Sequence, residues 1–148
     1  MDITQDPSIN AVVFTQKAKE FFVNNKTPEF TSTVEAGAMI SAADPLVDIY
    51  VQKLTAEGVT YSDQLILEFG SALGEAYKML FLGEWNFSPS QERWVILFTS
   101  PKGSLYEVNI FNKLRKRFDN GMEDSIQYYF DMLKKMYLEE ADSFGFKD

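Results

Sequence analysis

Two apolar runs joined by a short turn constrain the fold of this chain more than any other feature. Residues 93–99 form the more continuous run, and residues 105–111 form the second, with large apolar side chains at alternate positions. The linking residues 100–103 read Ser-Pro-Lys-Gly, with Pro and Gly at positions that β-turns favour. Because the connection is so short, the two strands must be antiparallel.

Patterns typical of helices flank this hairpin on both sides. The predicted helices run from about residue 7 to 24, from Asp44-Pro45 to Gly58, from residue 60 or 62 to about 82, from Asn112 to Phe118, and onward from Asp124-Ser125. Asp44-Pro45 is a start signal, since a capping carboxylate precedes Pro at the first helical position. Residues 31–43 are rich in small side chains, and a short helix is one possibility there. We expect residues 141–148 to be frayed.

The order of these elements predicts an α+β fold. A short strand over residues 84–87, with Trp85 at its centre, precedes the hairpin. Helices, then strands, then helices favour an antiparallel sheet of three to four strands packed by helices on one face, as a single domain over residues 1–148. The expected core comprises Phe69, Leu73, Ala76, Trp94, Ile96, Phe98, Val108, Ile110, Phe130 and Leu133. Gly70 and Gly74 lie inside a helix, where each is unfavourable, so we expect close packing of that helix on the sheet.

The residue types present exclude the commonest catalytic chemistries. The chain of 148 residues contains no His and no Cys, which excludes Ser-His-Asp triads, Cys nucleophiles and the usual zinc sites. Chemistry based on carboxylates, Lys, Tyr or Ser-Lys pairs, or on oxygen ligands for Mg²⁺ or Ca²⁺, is still open. We expect no enzymatic activity, no cofactor and no bound metal.

Charge and hydropathy bear on partners and location. The formal net charge is −8, which disfavours nucleic acid as a partner and would attract a basic protein. No signal-peptide pattern opens the chain, and no apolar stretch approaches about 18 residues. We therefore expect no membrane partner and a cytoplasmic location.

Residues 61–135 resemble the bacterial domain-of-unknown-function family 3806. The resemblance rests on the Gly-x-x-x-Gly-Glu segment at residues 70–75, on Trp85 shortly after it, on residues 111–117 (Phe-Asn-Lys-Leu-Arg-Lys-Arg), and on Asn120-Gly121 with Asp124-Ser125. It covers about half of the chain. Membership would imply an α+β fold without an established activity.

A basic cluster interrupts the acidic sequence. Lys113, Arg115, Lys116 and Arg117 lie within five residues. One interpretation is an anion-binding or intermolecular contact site. The other is a solvated helix face near a helix C-terminus, where cations are favourable, and we favour this second interpretation.

Acidic and aromatic residues supply the other candidate contacts. Glu75 follows a glycine that is expected to touch the sheet, and Glu123 and Asp124 are adjacent. Most such carboxylates are solvated surface charges. Trp85 and Trp94 are expected in the core, although an exposed Trp on an edge strand would be a binding hot spot. The candidate partner-binding residues are Glu75, Trp85, Lys113, Arg115, Arg117, Glu123 and Asp124.

These features favour a non-enzymatic protein-binding module. Its most specific form is an immunity protein that neutralises a cognate, basic bacterial toxin, because an acidic inhibitor can fill a cationic cleft and associate quickly. The alternative is a structural or adaptor subunit of a bacterial assembly, with possible homo-oligomerisation. A third possibility is an enzyme that uses carboxylates and a divalent cation. The contact surface is either the diffuse acidic face or the basic cluster.

Overall fold

A computed structural model describes residues 2–139 as five α-helices and three β-strands. In chain order they are α1 (Val12–Asn24), α2 (Thr33–Ala56), α3 (Asp63–Phe81), β1 (Glu84–Ser88), β2 (Arg93–Thr99), β3 (Leu105–Val108), α4 (Ile110–Asn120) and α5 (Ile126–Glu139). Short 3₁₀ helices cover Ile3–Gln5 and Gly121–Asp124. The predicted α+β class is confirmed. The predicted frayed tail lies outside the described residues.

The three strands form one antiparallel sheet in the order β1-β2-β3. The register places Ile96 of β2 between Trp85 of β1 and Val108 of β3. Because side chains alternate along a strand, these three share one face, and all three are buried in the hydrophobic core. The ten residues that we expected in the core are all buried.

Helix α3 is the centre of the molecule and contacts α1, α2, α4, β1 and β2. Its two inner glycines make room for aromatic rings. A Cβ at Gly74 would lie 2.3 Å from the Trp85 ring of β1, and one at Gly70 would lie 2.5 Å from the Phe111 ring. The prediction of close packing on the sheet is therefore confirmed for Gly74, whereas Gly70 packs against α4.

The predicted helix start at Asp44-Pro45 is wrong, because α2 runs unbroken from Thr33 to Ala56 with Pro45 inside it. Its real cap is Ser32, whose hydroxyl accepts from the Glu35 N–H at 3.2 Å. In return, the Glu35 carboxylate accepts from the Thr31 N–H at 2.8 Å. This is a variant of the capping box. Asp44 is free to act elsewhere because it does not cap its own helix.

Three further boundaries differ from prediction. Helix α1 begins at Val12, whereas its start was predicted at about residue 7. The third strand ends at Val108, and Ile110 belongs to α4. The cap of α4 is Asn109, whose side chain accepts from the Asn112 N–H at 3.1 Å, so the predicted cap at Asn112 is three residues late. Among residues 2–139, no helix has the length and apolar character needed to cross a membrane.

Candidate functional site

Three basic residues of α4 form ion pairs with acidic residues of four other segments. Lys113 Nζ lies 3.4 Å from Asp124 Oδ1. Arg115 reaches Asp63 at the start of α3 at 3.0 Å and Asp2 near the N-terminus at 3.5 Å. Arg117 reaches Asp44 and Asp48 of α2 at 2.8 and 2.7 Å. The cluster thus joins α4 to its neighbours.

Two of these cations are hidden from solvent. Arg117 is 1% exposed and Lys113 is 7% exposed, and Lys113 also lies over the Tyr129 ring at 5.1 Å. The interpretation as a solvated helix face is wrong for these two residues, since their side chains are buried against other elements of the chain. Arg115 is half-buried, with its side chain 28% exposed.

Asp44 is the centre of a buried network and caps α5 from a distance. Its carboxylate accepts from Ser125 Oγ at 2.8 Å, from Ile126 N–H at 3.0 Å and from Gln127 N–H at 3.1 Å, in addition to Arg117 Nε. Burial alone would raise the pKa of this carboxyl. The hydrogen bonds from α5 and Arg117 outweigh burial and hold the pKa below its ordinary value.

Asp124 and Glu123 lie beside this network on the 3₁₀ helix. A hydrogen bond from the Asn120 amide, at 2.8 Å, and the nearby charge of Lys113 lower the pKa of Asp124. Glu123 is exposed. Of the candidate residues, the structure therefore brings Lys113 and Asp124 into direct contact, with Arg117 in the adjoining network.

Glu75 and Trp85 form a second, separate pair. The Trp85 indole N–H donates to Glu75 Oε2 at 2.7 Å, and the ring, 8% exposed, packs against Phe14 and Phe111. Trp85 is therefore in the core, and no exposed tryptophan is found on β1. Lys78 Nζ lies 3.5 Å from Glu75, so the carboxylate is fixed on two sides at the protein surface.

Two apolar grooves lie side by side and share Phe22 and Phe30. The first has a volume of about 410 Å³ and is lined by the end of α1, the loop before α2, and α2 itself. Met39 and Leu46 contribute to its apolar wall, and Glu35 stands at its rim. The second, of about 340 Å³, is lined by α1, the same loop and α3, and includes Glu75. We call this pair of cavities the Phe30 grooves.

The Phe30 grooves can hold apolar side chains between acidic edges. Glu29 and Glu35 are exposed, and Glu75 is partly exposed. Glu35 accepts hydrogen bonds from the backbone and the hydroxyl of Thr31, which lower its pKa. Among the described residues, no group of three or more carboxylates lies close enough to hold a metal ion.

Sequence reasoning missed the residues that shape these grooves. Phe30 was not singled out, and Leu82 was noted only as the approximate end of a predicted helix. One signal was available, because Ser32 and Glu35 have the spacing of a capping box. That box would have placed α2, and so one groove wall, correctly. Glu75 is the one candidate residue that lies at the Phe30 grooves.

No family model, no curated protein and no solved structure matches this chain. The resemblance of residues 61–135 to family 3806 stays a prediction. What the fold and the site define is an acidic α+β domain with an apolar, acid-rimmed double groove.

Proposed function

We propose that this chain is a non-enzymatic protein-binding module that contacts its partner through the Phe30 grooves. The observation that carries the proposal is the pairing of an open apolar surface with acidic edges. Apolar clefts with a few fixed polar groups are the usual form of binding sites. Met39 and Met79 add flexible side chains to the walls, which suits a surface that adapts to a partner.

The charge of the remaining surface supports a basic partner. Lys113, Arg115 and Arg117 are engaged in internal ion pairs, while the whole chain carries −8. A cationic protein would therefore be steered toward this domain. The most specific form of the proposed function is an immunity protein that neutralises a basic toxin of the same cell.

The experiment mixes the purified protein with the product of the adjacent gene at micromolar concentration and follows size-exclusion elution. A shared peak that elutes earlier than either protein is expected. Two separate peaks would reject the immunity role. Ala42→Arg and Ser41→Arg form a matched pair, because both positions are exposed on α2 and only Ala42 lines a groove. Ala42→Arg should abolish the complex, and Ser41→Arg should retain it.

The second candidate function is a self-associating structural or adaptor subunit, favoured by the outer face of α2. Val34 and Ile49 are 81% and 60% exposed, and Ala38 and Ala42 between them are also exposed and line the first groove. Spacings of four, four and seven residues place them along one side of the helix. Light scattering should then detect dimers that Ile49→Asp converts to monomers. A protein that stays monomeric at the highest concentration it reaches in solution would reject this candidate.

A further inference from the structure

Leu82 ends α3 in a conformation that leucine rarely adopts. Its φ and ψ are 55° and 43°, in the left-handed region. A side chain with a Cβ is strained there, and glycine or asparagine is the usual choice. Lys26 and Glu92, the other non-glycine residues with positive φ in the described part of the chain, are polar. Leu82 is thus an apolar residue at a position where folding favours another type.

Gly83 explains why the chain turns at this point, but it does not explain why residue 82 is a leucine. A Cβ at Gly83 would lie 2.9 Å from the carbonyl oxygen of Leu97 in β2. Residue 83 must therefore be glycine so that the chain can approach the sheet, and the left-handed turn falls one residue earlier. The Gly83 N–H donates to the Lys78 carbonyl at 2.9 Å, which closes the helix. A glycine or asparagine at 82 would allow the same closure.

Exposure to water is a second reason why a leucine is unfavourable at position 82. Its side chain is 87% exposed, the highest value among the large apolar residues described as exposed. A single exposed leucine is ordinary on a protein surface, but this one is also strained. It forms one wall of the second groove, with Phe30 and Met79. Strain together with full exposure beside a groove is the pattern expected of a contact residue.

The charges beside Leu82 define the chemistry of what it contacts. The groove carries Glu29 and Glu75 against the single cation Lys78. Glu75 is held by Trp85 at 2.7 Å and by Lys78 at 3.5 Å. Its position is therefore fixed before any partner arrives, which reduces the entropy lost on binding.

We propose that Leu82 is the anchor of the partner interface, and that the partner presents a basic segment with one large apolar side chain. That side chain fills the groove between Phe30 and Leu82, while a Lys or Arg beside it faces Glu29 and Glu75. The assignment rests on the proposed function and names the partner class for the same site. A few well-packed, desolvated residues commonly carry most of the binding energy of such interfaces.

The test selects peptides from a random phage-displayed library on the full-length protein. Enriched peptides should contain a large apolar residue within about four positions of Lys or Arg, the reach of one helical turn or a short strand. The affinity of the best peptide is then measured for Leu82→Ala and for Leu105→Ala. Leu105 is a matched control, because it is a leucine with 69% exposure on β3. Leu82→Ala should weaken binding at least tenfold, and Leu105→Ala should leave it unchanged.

Leu82→Gly separates a binding role from a structural one. It relieves the left-handed strain, so its thermal midpoint should equal or exceed that of the wild type while peptide binding is lost. A lower midpoint with unchanged binding would overturn the proposal. So would a library without enriched basic peptides, or equal losses in Leu82→Ala and Leu105→Ala. A dimer that Leu82→Ala dissociates would assign the groove to a second copy and would also overturn it.

These outcomes are distinct from the test of the proposed function. If the complex with the adjacent gene product does not depend on Leu82, Leu82 is rejected as the anchor and the proposed binding function is left intact. Peptides that depend on Leu82, without such a complex, would reject the toxin-neutralising role alone.

Discussion

Arg117 and Asp44 form an ion pair inside the protein, with Nε of the arginine 2.8 Å from Oδ1 of the aspartate and side-chain exposures of 2% and 7%. The pair joins α4 to α2. Through Ser125 and the first N–H groups of α5, the same carboxylate also fixes the last helix. Three helices therefore depend on one aspartate that lies in the middle of α2.

Asp44→Ala should lower the free energy of unfolding by about 3–5 kcal/mol, because it leaves the buried Arg117 without its buried carboxylate partner and removes the cap of α5. Asp48→Ala is the control. Asp48 also binds Arg117, but its side chain is 58% exposed, so the loss should be clearly smaller than that of Asp44→Ala. Urea denaturation followed by circular dichroism measures both. Equal losses would show that the buried carboxylate has no special role.

Stability should fall as the pH drops below about 4, the ordinary pKa of an aspartate in an unfolded chain. The folded-state pKa of Asp44 is lower than this, so the unfolded state binds more protons in that window. The stabilisation is therefore complete above the unfolded pKa and disappears as the pH falls through the folded pKa. Asp44→Asn should show a shallower dependence in urea titrations between pH 2.5 and 5, a window chosen around that pKa. Identical slopes would contradict this origin.

The α+β class could be predicted from the sequence because the local signals for strands and helices agree with the fold. The hairpin turn, the continuous apolar run around Trp94 and the alternation around Val108 predicted the sheet, and all of the expected core residues are buried. The start of α2 was missed because Asp44 followed by Pro45 is typical of a helix N-terminus. The Asp44 carboxylate instead accepts hydrogen bonds from α5. A residue's partner in a distant helix leaves no local trace.

The candidate site was harder to predict for the same reason. Lys113, Arg115 and Arg117 are close in sequence and looked like one patch, but helical geometry points them toward different elements. The Phe30 grooves form where a loop crosses two helices, and loops carry no periodicity. Glu75 was identified because a glycine next to it signalled a close approach.

Pro45→Ala should raise the free energy of unfolding by about 1–3 kcal/mol. Proline in a helix interior lacks the N–H that would donate to residue 41 and is strongly unfavourable relative to Ala. Pro45 is exposed, so no packing is lost. Ser41→Ala, also exposed on α2, is the control and should change stability by no more than about 0.5 kcal/mol. A destabilised Pro45→Ala would show that the packing of α2 depends on the proline.

Gly74→Ala and Gly37→Ala should change stability in opposite directions, although both glycines lie inside helices. Around Gly37 no atom lies within 4 Å of a new Cβ, so alanine should stabilise by about 0.5–1 kcal/mol through helix propensity alone. At Gly74 the new Cβ would meet the Trp85 ring at 2.3 Å.

Moving the Trp85 ring aside would be energetically unfavourable, because a hydrogen bond and two ring contacts hold it in place. Its N–H is bonded to Glu75 at 2.7 Å, and its centroid lies 4.5 Å from that of Phe14 and 5.6 Å from that of Phe111. Overpacking at such a site typically destabilises by about 1–3 kcal/mol. Urea denaturation of both variants shows whether each substitution raises or lowers the free energy of unfolding. If Gly74→Ala were as stable as Gly37→Ala, the ring would have to be free to shift, and Glu75 would then not be held in place at the groove.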